Sequence, residues 1–362
     1  YQAYQKGYIR AGWNMVCELL KTILQTTVLL LTGNFILYLV VQQVVQLLPN
    51  IMVSRRADNE FPYLKECHEL PEKEERNGIL KNIGAMSMHK LATVIVNNTD
   101  SLLMSSFIGL TAVGIYSNYR MVIINVQNII VKLLSAFTGS VGNLSASEEP
   151  AKVYRIYREM DFMFFVLNAY FAAGMFILIN PFIAIFFGEQ YCFSTVTVAL
   201  IITSFFITGL RRVNLIFREG MGLFWNDRYK AVAESIINLV VSLLLVKPFG
   251  IAGIVGGTII STVTTCAWIE PYVLMKHGIK EDWQARLRRY FAEYAQHCAL
   301  TAALSTAGWY AASRFPIDHI GKFLAAGVLY TIVFAAVILL CYRKTEEYSS
   351  LKARCFALVR RK

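Results

Sequence analysis

Ten runs of about twenty mostly apolar residues follow one another along the chain, at 11–31, 35–54, 82–109, 112–140, 158–180, 193–212, 229–246, 250–273, 290–312 and 321–342. A helix needs about 20 such residues to cross a bilayer core, whereas a spanning strand needs about ten in alternation. The runs are too long and too continuous for strands. They predict an all-α integral membrane protein with about ten transmembrane helices, the secondary structure that satisfies every backbone polar group inside lipid. Three separations are very short: Thr32-Gly33-Asn34, the turn at 110–111, and Lys247-Pro248-Phe249. Each predicts a tight hairpin between neighbouring helices.

Composition agrees with that reading. The chain is 56% hydrophobic and only 16% charged, where soluble domains carry about 25% charge. A soluble fold of this makeup would expose large apolar patches. The net charge of +11 raises nucleic acid as a partner. No basic groove with interleaved stacking aromatics accompanies it, so nucleic acid is set aside. The seven cysteines are scattered without a C-x-x-C pair, which predicts neither a disulfide framework nor a metal site. The chain opens at Tyr1 on a polar stretch and is expected to continue a longer protein.

Basic residues set the expected orientation. With the N-terminus cytoplasmic, 28 of the 35 Lys and Arg fall in segments 1–11, 55–81, 146–158, 211–230, 274–290 and 343–362. Only Lys247, Arg314 and Lys322 fall on the other side, a strong positive-inside pattern. Both ends are therefore expected to be cytoplasmic. The tail, with Tyr348, Leu351, Phe356 and Val359 among Lys352, Arg354, Arg360, Arg361 and Lys362, reads either as an amphipathic helix on anionic lipid or as a solvated charged segment.

Ionisable groups inside spans are costly and point to function. Asp100 and Arg120 flank the 110–111 turn at matched depth, about 15 Å from it at 1.5 Å per residue. They are expected to approach each other, either as a structural ion pair or as an ion-sensitive carboxylate beside a cavity arginine. Lys90 and Lys132 are also matched in depth and would either hold an anion between them or snorkel to lipid phosphates. On the fourth span, Asn118, Asn125 and Lys132 recur every seven residues, with Tyr116, Arg120 and Gln127 roughly opposite. One polar side is expected to line a hydrated cavity while the other packs on a partner helix. Asn14, Glu18, Lys21 and Gln25 form a stripe on the first span, with Glu18 and Lys21 spaced to pair, and Gln42, Gln43, Gln46 and Asn50 add amides to the second. Gly253, Gly256 and Gly257 predict close helix packing, and Glu270 before Pro271 a cap or kink. His68, His89, His277, His297 and His319 are scattered, no P-loop, G-x-S-x-G or H-E-x-x-H occurs, and Asn97-Asn98-Thr99 and Asn143-Leu144-Ser145 match the glycosylation pattern by chance. Neither enzyme chemistry nor a cofactor is expected.

Several stretches resemble a known family. Val113-Gly114-Ile115-Tyr116-Ser117-Asn118-Tyr119, following Asp100 and Gly109 and closed by Ser140-Val141-Gly142-Asn143, resembles the seventh-to-eighth helix hairpin of bacterial polysaccharide flippases. These proteins belong to the multidrug/oligosaccharidyl-lipid/polysaccharide exporter superfamily. Phe217-Arg218-Glu219-Gly220, Gly222-Leu223-Phe224-Trp225 and Asp227-Arg228-Tyr229-Lys230 are similar to the connection between their tenth and eleventh helices. Asn238-Leu239-Val240 and Gly250-Ile251-Ala252-Gly253-Ile254 continue the likeness, and Thr32-Gly33-Asn34-Phe35 resembles the fifth-to-sixth turn.

The resemblance implies part of a fourteen-helix, two-lobe fold of the drug-exporter (MATE-like) type. Residues 1–54 would end the first lobe, 55–81 form a cytoplasmic loop, 82–275 make the six-helix second lobe, 276–342 add two helices and 343–362 form the basic tail. It implies a flippase moving undecaprenyl-pyrophosphate-linked oligosaccharide across the bacterial plasma membrane by alternating access. Membrane lipid, H+ or Na+, and polymerase or glycosyltransferase partners are implied with it. Within that frame, Arg120, Lys90 and Lys132 are candidates for the pyrophosphate, with Arg211, Arg212 and Arg218 at the mouth. Asn118, Asn125 and Gln127 are candidates for the glycan, and Asp100 for the coupling ion. The alternatives are a lipid II flippase, a cation-coupled drug antiporter, and a non-transporting scaffold of a glycan-assembly complex.

Overall fold

In the computed structural model the described residues, 7–63, 72–350 and 352–353, form helices joined by short turns, with no strand among them. Lys6, Lys65, His68, Leu351 and the tail from Arg354 onward lie outside the described residues, as do the side chains of Lys81, His89, Asn97 and Ser135. The two readings of the basic tail fall largely on that segment. The chain divides into two compact units, Tyr1–Asn77 and Gly78–Lys362.

The first unit contains a helical hairpin, α1 (Gly7–Thr32) and α2 (Phe35–Glu60). Gly33 takes φ +61° between them, a left-handed conformation that glycine adopts without steric cost. Asn34 then caps α2, its Oδ1 accepting from the backbone N–H of Ile36 at 2.9 Å and of Leu37 at 3.3 Å. The amide stripes meet at one point: Gln25, buried, donates to Gln42 Oε1 at 3.3 Å. Glu18 and Lys21 pair on α1. The apolar sides of both helices stay exposed, with Leu30 at 81% and Ile36 at 73%, as a lipid-facing surface requires.

The helix α3 (Lys73–Phe107) runs into the second unit. There follow α4 (Leu110–Ser147), α5 (Pro150–Phe186), α6 (Thr195–Leu210), α7 (Arg212–Gly220), α8 (Lys230–Phe249), α9 (Ile251–Ile279), α10 (Trp283–Arg314) and α11 (Ile320–Tyr342). The centre of the core is α5, whose Phe164, Phe165, Ala172, Ile179 and Ile183 are buried. His297 of α10 lies flat on Phe165 with ring centroids 3.6 Å apart, and Tyr342 of α11 packs at the same place. Tyr119 of α4 donates to Asn180 at 2.6 Å and accepts from the N–H of Phe193 at 2.8 Å. That buried hydroxyl pins the α5–α6 connection.

Among the described residues, seven helices are long and apolar enough to cross a membrane: α1, α2, α5, α6 with α7, α8, α9 and α11. The other three expected spans are also helices, α3, α4 and α10, with 35, 38 and 32 residues. The hairpin expected at 247–249 turns one residue later: α8 runs through Pro248 to Phe249, and Gly250 takes φ +58°. Glu270 lies inside α9 and does not cap it. It is 1% exposed and engaged by two cations, while the helix around it stays continuous through π-turns at Thr262–Cys266 and Leu274–Ile279.

The seam between α8 and α9 explains two of the three glycines. A Cβ on Gly253 would lie 2.1 Å from Leu245 O, and one on Gly257 2.2 Å from Ser242 Oγ. On Gly256 nothing would lie nearer than 3.8 Å. Because Leu245 O is backbone and cannot swing away, Gly253→Ala is expected to cost about 1–3 kcal/mol through overpacking. Gly256→Ala is expected to be neutral, and thermal unfolding of the two purified variants in one detergent makes the comparison. Equal midpoints would refute the packing account.

Candidate substrate and cation site

A cavity of about 360 Å³ opens inside the second unit. It draws Asp100 from α3, Tyr116, Arg120 and Gln127 from α4, Ser204 and Thr208 from α6, Arg212 from the start of α7, and Thr258 from α9. Ile123, Ile124, Ile201, Phe205 and Val255 complete the wall. Two guanidinium groups and one carboxylate thus face a partly apolar space with room for a small ligand.

Asp100 and Arg120 line this space together, and the charge of Arg120 acts on Asp100. Arg120 Nη1 also donates to Ser101 Oγ at 3.3 Å. One carboxylate oxygen of Asp100 accepts from Thr258 Oγ1 at 3.4 Å, while Oδ1 is buried without a hydrogen-bond partner. Asn238 of α8, 1% exposed, repeats the pattern: Nδ2 donates to the same Thr258 Oγ1 at 3.0 Å, and Oδ1 is buried without a partner. Two orphaned acceptor oxygens therefore flank one threonine hydroxyl. Buried acceptors ordinarily find a donor or an ion. A small monovalent cation, which takes carboxylate, amide and hydroxyl oxygens, fits this donor set.

Neighbouring arginines at the α6–α7 break part company. Arg211 donates from Nε and Nη2 to the two oxygens of Glu270, at 3.0 and 2.6 Å, and from Nη1 to Glu234 at 3.2 Å. Glu270 also accepts from Lys230 at 2.5 Å. Lys230 reaches Asp227 at 3.2 Å, and Asp227 holds Arg218 at 2.6 Å. The order Glu234–Arg211–Glu270–Lys230–Asp227–Arg218 alternates in sign and sums to zero. Arg211 and Arg218 are thus occupied by carboxylates, whereas Arg212 lines the cavity and forms no ion pair among the described residues.

The remaining candidates lie elsewhere. Lys90 and Lys132 are exposed and do not line the cavity. Asn118 is half-buried off the cavity wall, and Asn125 is exposed, donating back to Met121 O at 2.8 Å. Gln127 alone of the amide candidates lines the space. Sequence reasoning missed the roles of Asn238, Thr258, Glu234 and Lys230. Their signal is weak: Glu234 and Asn238 on α8, and Thr258 and Thr262 on α9, are each four residues apart beside the close-packing glycines. No group of three or more His, Cys, Asp or Glu suited to a metal ion occurs among the described residues.

Removing Glu270 leaves Arg211 with Glu234 alone and Lys230 with Asp227 alone, and so one buried positive charge in excess; breaking a buried pair costs about 3–5 kcal/mol. Glu270→Gln is therefore expected to lower stability by about that much. Glu270→Gln combined with Lys230→Met should recover part of the loss, which a double-mutant cycle on unfolding in detergent would read. Additive losses would argue against the network.

Comparisons of the chain with models of protein families, with curated proteins and with solved structures each find no match.

Proposed function

We propose that the chain is the substrate-bearing part of a membrane flippase for an anionic, pyrophosphate-linked oligosaccharide lipid, working by alternating access in the bacterial plasma membrane for surface polysaccharide synthesis. The observation that carries this reading is the pairing of Arg120 and Arg212 in one cavity within an apolar helical unit. Guanidinium groups present fixed donor forks suited to phosphate oxygens, and partial exclusion of water strengthens each contact. The likeness of the hairpin 100–143 to polysaccharide flippases supports the substrate class. Gln127, Ser204 and Thr208 supply hydrogen bonds for a sugar next to the head group.

A volume of about 360 Å³ suits the pyrophosphate and its first sugar, and the rest of the glycan lies outside it. Asp100, Asn238 and Thr258 form the coupling-ion site in this reading, with Na+ the first ion to test. A drug antiporter is disfavoured by charge: a wall with two cations to one anion repels cationic substrates. A lipid II flippase shares the same logic and differs in which polymer is lost.

The test compares Arg120→Ala, Arg212→Ala and Lys132→Ala in cells that depend on the protein, with its native flanking sequence and at matched protein level. Losing a hydrogen bond to a charged group costs about 1.5–3 kcal/mol, or roughly ten- to a hundredfold. Arg120→Ala and Arg212→Ala are expected to reduce surface polysaccharide by at least about tenfold on that scale and to accumulate inward-facing lipid-linked oligosaccharide. Lys132→Ala should stay near wild type. Normal export by both cavity variants would sink the reading and favour the scaffold alternative.

A further inference from the structure

The α8–α9 seam is a ladder. Ser242 Oγ donates to Ile254 O at 3.2 Å, Asn238 donates to Thr258 at 3.0 Å, and Thr262 Oγ1 donates to Glu234 Oε1 at 3.3 Å. Each rung is four residues from the next on both helices, about 6 Å along the axis. The middle rung carries the orphaned Oδ1 of Asn238 and, through Thr258, meets Asp100 with its own orphaned Oδ1. The next rung, at Glu234, holds Arg211.

Arg211 sits where α6 stops and α7 starts, with its N–H turned to Gly209 O. A guanidinium tied at three nitrogens leaves that residue little rotational freedom. The next residue on a helix projects about 100° away, so fixing Arg211 fixes the direction in which Arg212 enters the cavity. A second face of α7 is held independently, where Asn214 accepts from Tyr157 at 2.7 Å and donates to Tyr290 at 3.0 Å. The break is thus attached to α9 through Glu270, to the 221–229 connection through Asp227, and to the seam through Glu234.

We propose that Glu234 and Arg211 are positioning residues that tie Arg212 to the rung beside Asp100, so that a cation at Asp100 and an anionic head group at Arg212 bind cooperatively. The inference rests on assigning Arg212 to the head group and Asp100 to the cation. A cation bridging the orphaned oxygens ties α3 to the middle rung of the seam. One rung further on, the same seam holds Arg211, and so sets the site that the head group meets. By linkage the head group favours cation binding by the same factor.

The test uses the full chain with its native flanking sequence in detergent and farnesyl pyrophosphate as probe, titrated in NaCl and in choline chloride at equal ionic strength. Wild type is expected to bind the probe at least about fivefold tighter in Na+, the lower end of measured couplings. In Glu234→Ala and in Thr262→Val that ratio should fall to within about twofold of one, while Asp100→Asn should abolish it. A merely structural role would weaken binding equally in both salts and leave the ratio intact, and that outcome overturns the proposal. Thr262→Val removes a single hydroxyl and decides the matter if Glu234→Ala does not yield monodisperse protein. Probe binding by wild type with a ratio of one also overturns it, leaving the head-group assignment standing. Absence of probe binding in either salt removes the head-group assignment and the inference together.

Discussion

Six charged side chains joined in alternating sign, from Glu234 through Arg211, Glu270, Lys230 and Asp227 to Arg218, govern the second unit. An isolated ion in such a place carries a penalty of several kcal/mol, and only a partner with good geometry offsets it. Here the carboxylate of Glu270 takes both prongs of one guanidinium and an ammonium besides. The chain of charges crosses α7, α8, α9 and the short connection that carries Asp227. It therefore fixes the α6–α7 break, and the break decides which of two adjacent arginines enters the cavity.

The π-turns of α9 fit the same constraint. An extra residue per turn rotates all that follows, and such bulges gather at functional sites. Glu270 lies between two of them, in the stretch Ala267–Val273. The sequence shows Glu270 beside Pro271 and invites the reading of a cap. What it cannot show is a guanidinium arriving from a residue 59 positions away. For the same reason Arg211 and Arg212 look alike in sequence, although one is a structural partner and the other lines the site.

Depth along a helix proved readable where rotation about it was not. Asp100 and Arg120, counted equally from their turn, line one cavity. Lys132 has a matched partner in depth too, yet it lies twelve residues from Arg120, a rotation of about 120° at 100° per residue. Gln127 lies seven residues on, about 20° from the Arg120 direction, and lines the wall, whereas Asn118 and Asn125 fall about 140–160° away. Neutral polar residues were hidden for another reason. Asn238 and Thr258 sit singly in apolar runs and acquire meaning only when two helices pack closely enough to bring them together. The helices α3 and α4 carry much of the site.

The ion network also sets the sign of the cavity. Glu234, Glu270 and Asp227 are engaged by Arg211, Lys230 and Arg218, so none of these six contributes net charge to the space beside them. What faces the cavity is then Arg120, Arg212 and Asp100. Had Glu270 turned inward in place of holding Arg211, the wall would carry as many anions as cations and would no longer favour phosphate over ammonium. The carboxylates of this region are thus withdrawn from the cavity by their structural duty, and the two arginines are left with one acid beside them. A cation held at Asp100 would neutralise that acid as well. In the proposed reading, the field offered to a pyrophosphate would then be strongest with the cation site filled, so that one arrangement of charge would serve both substrate choice and ion coupling.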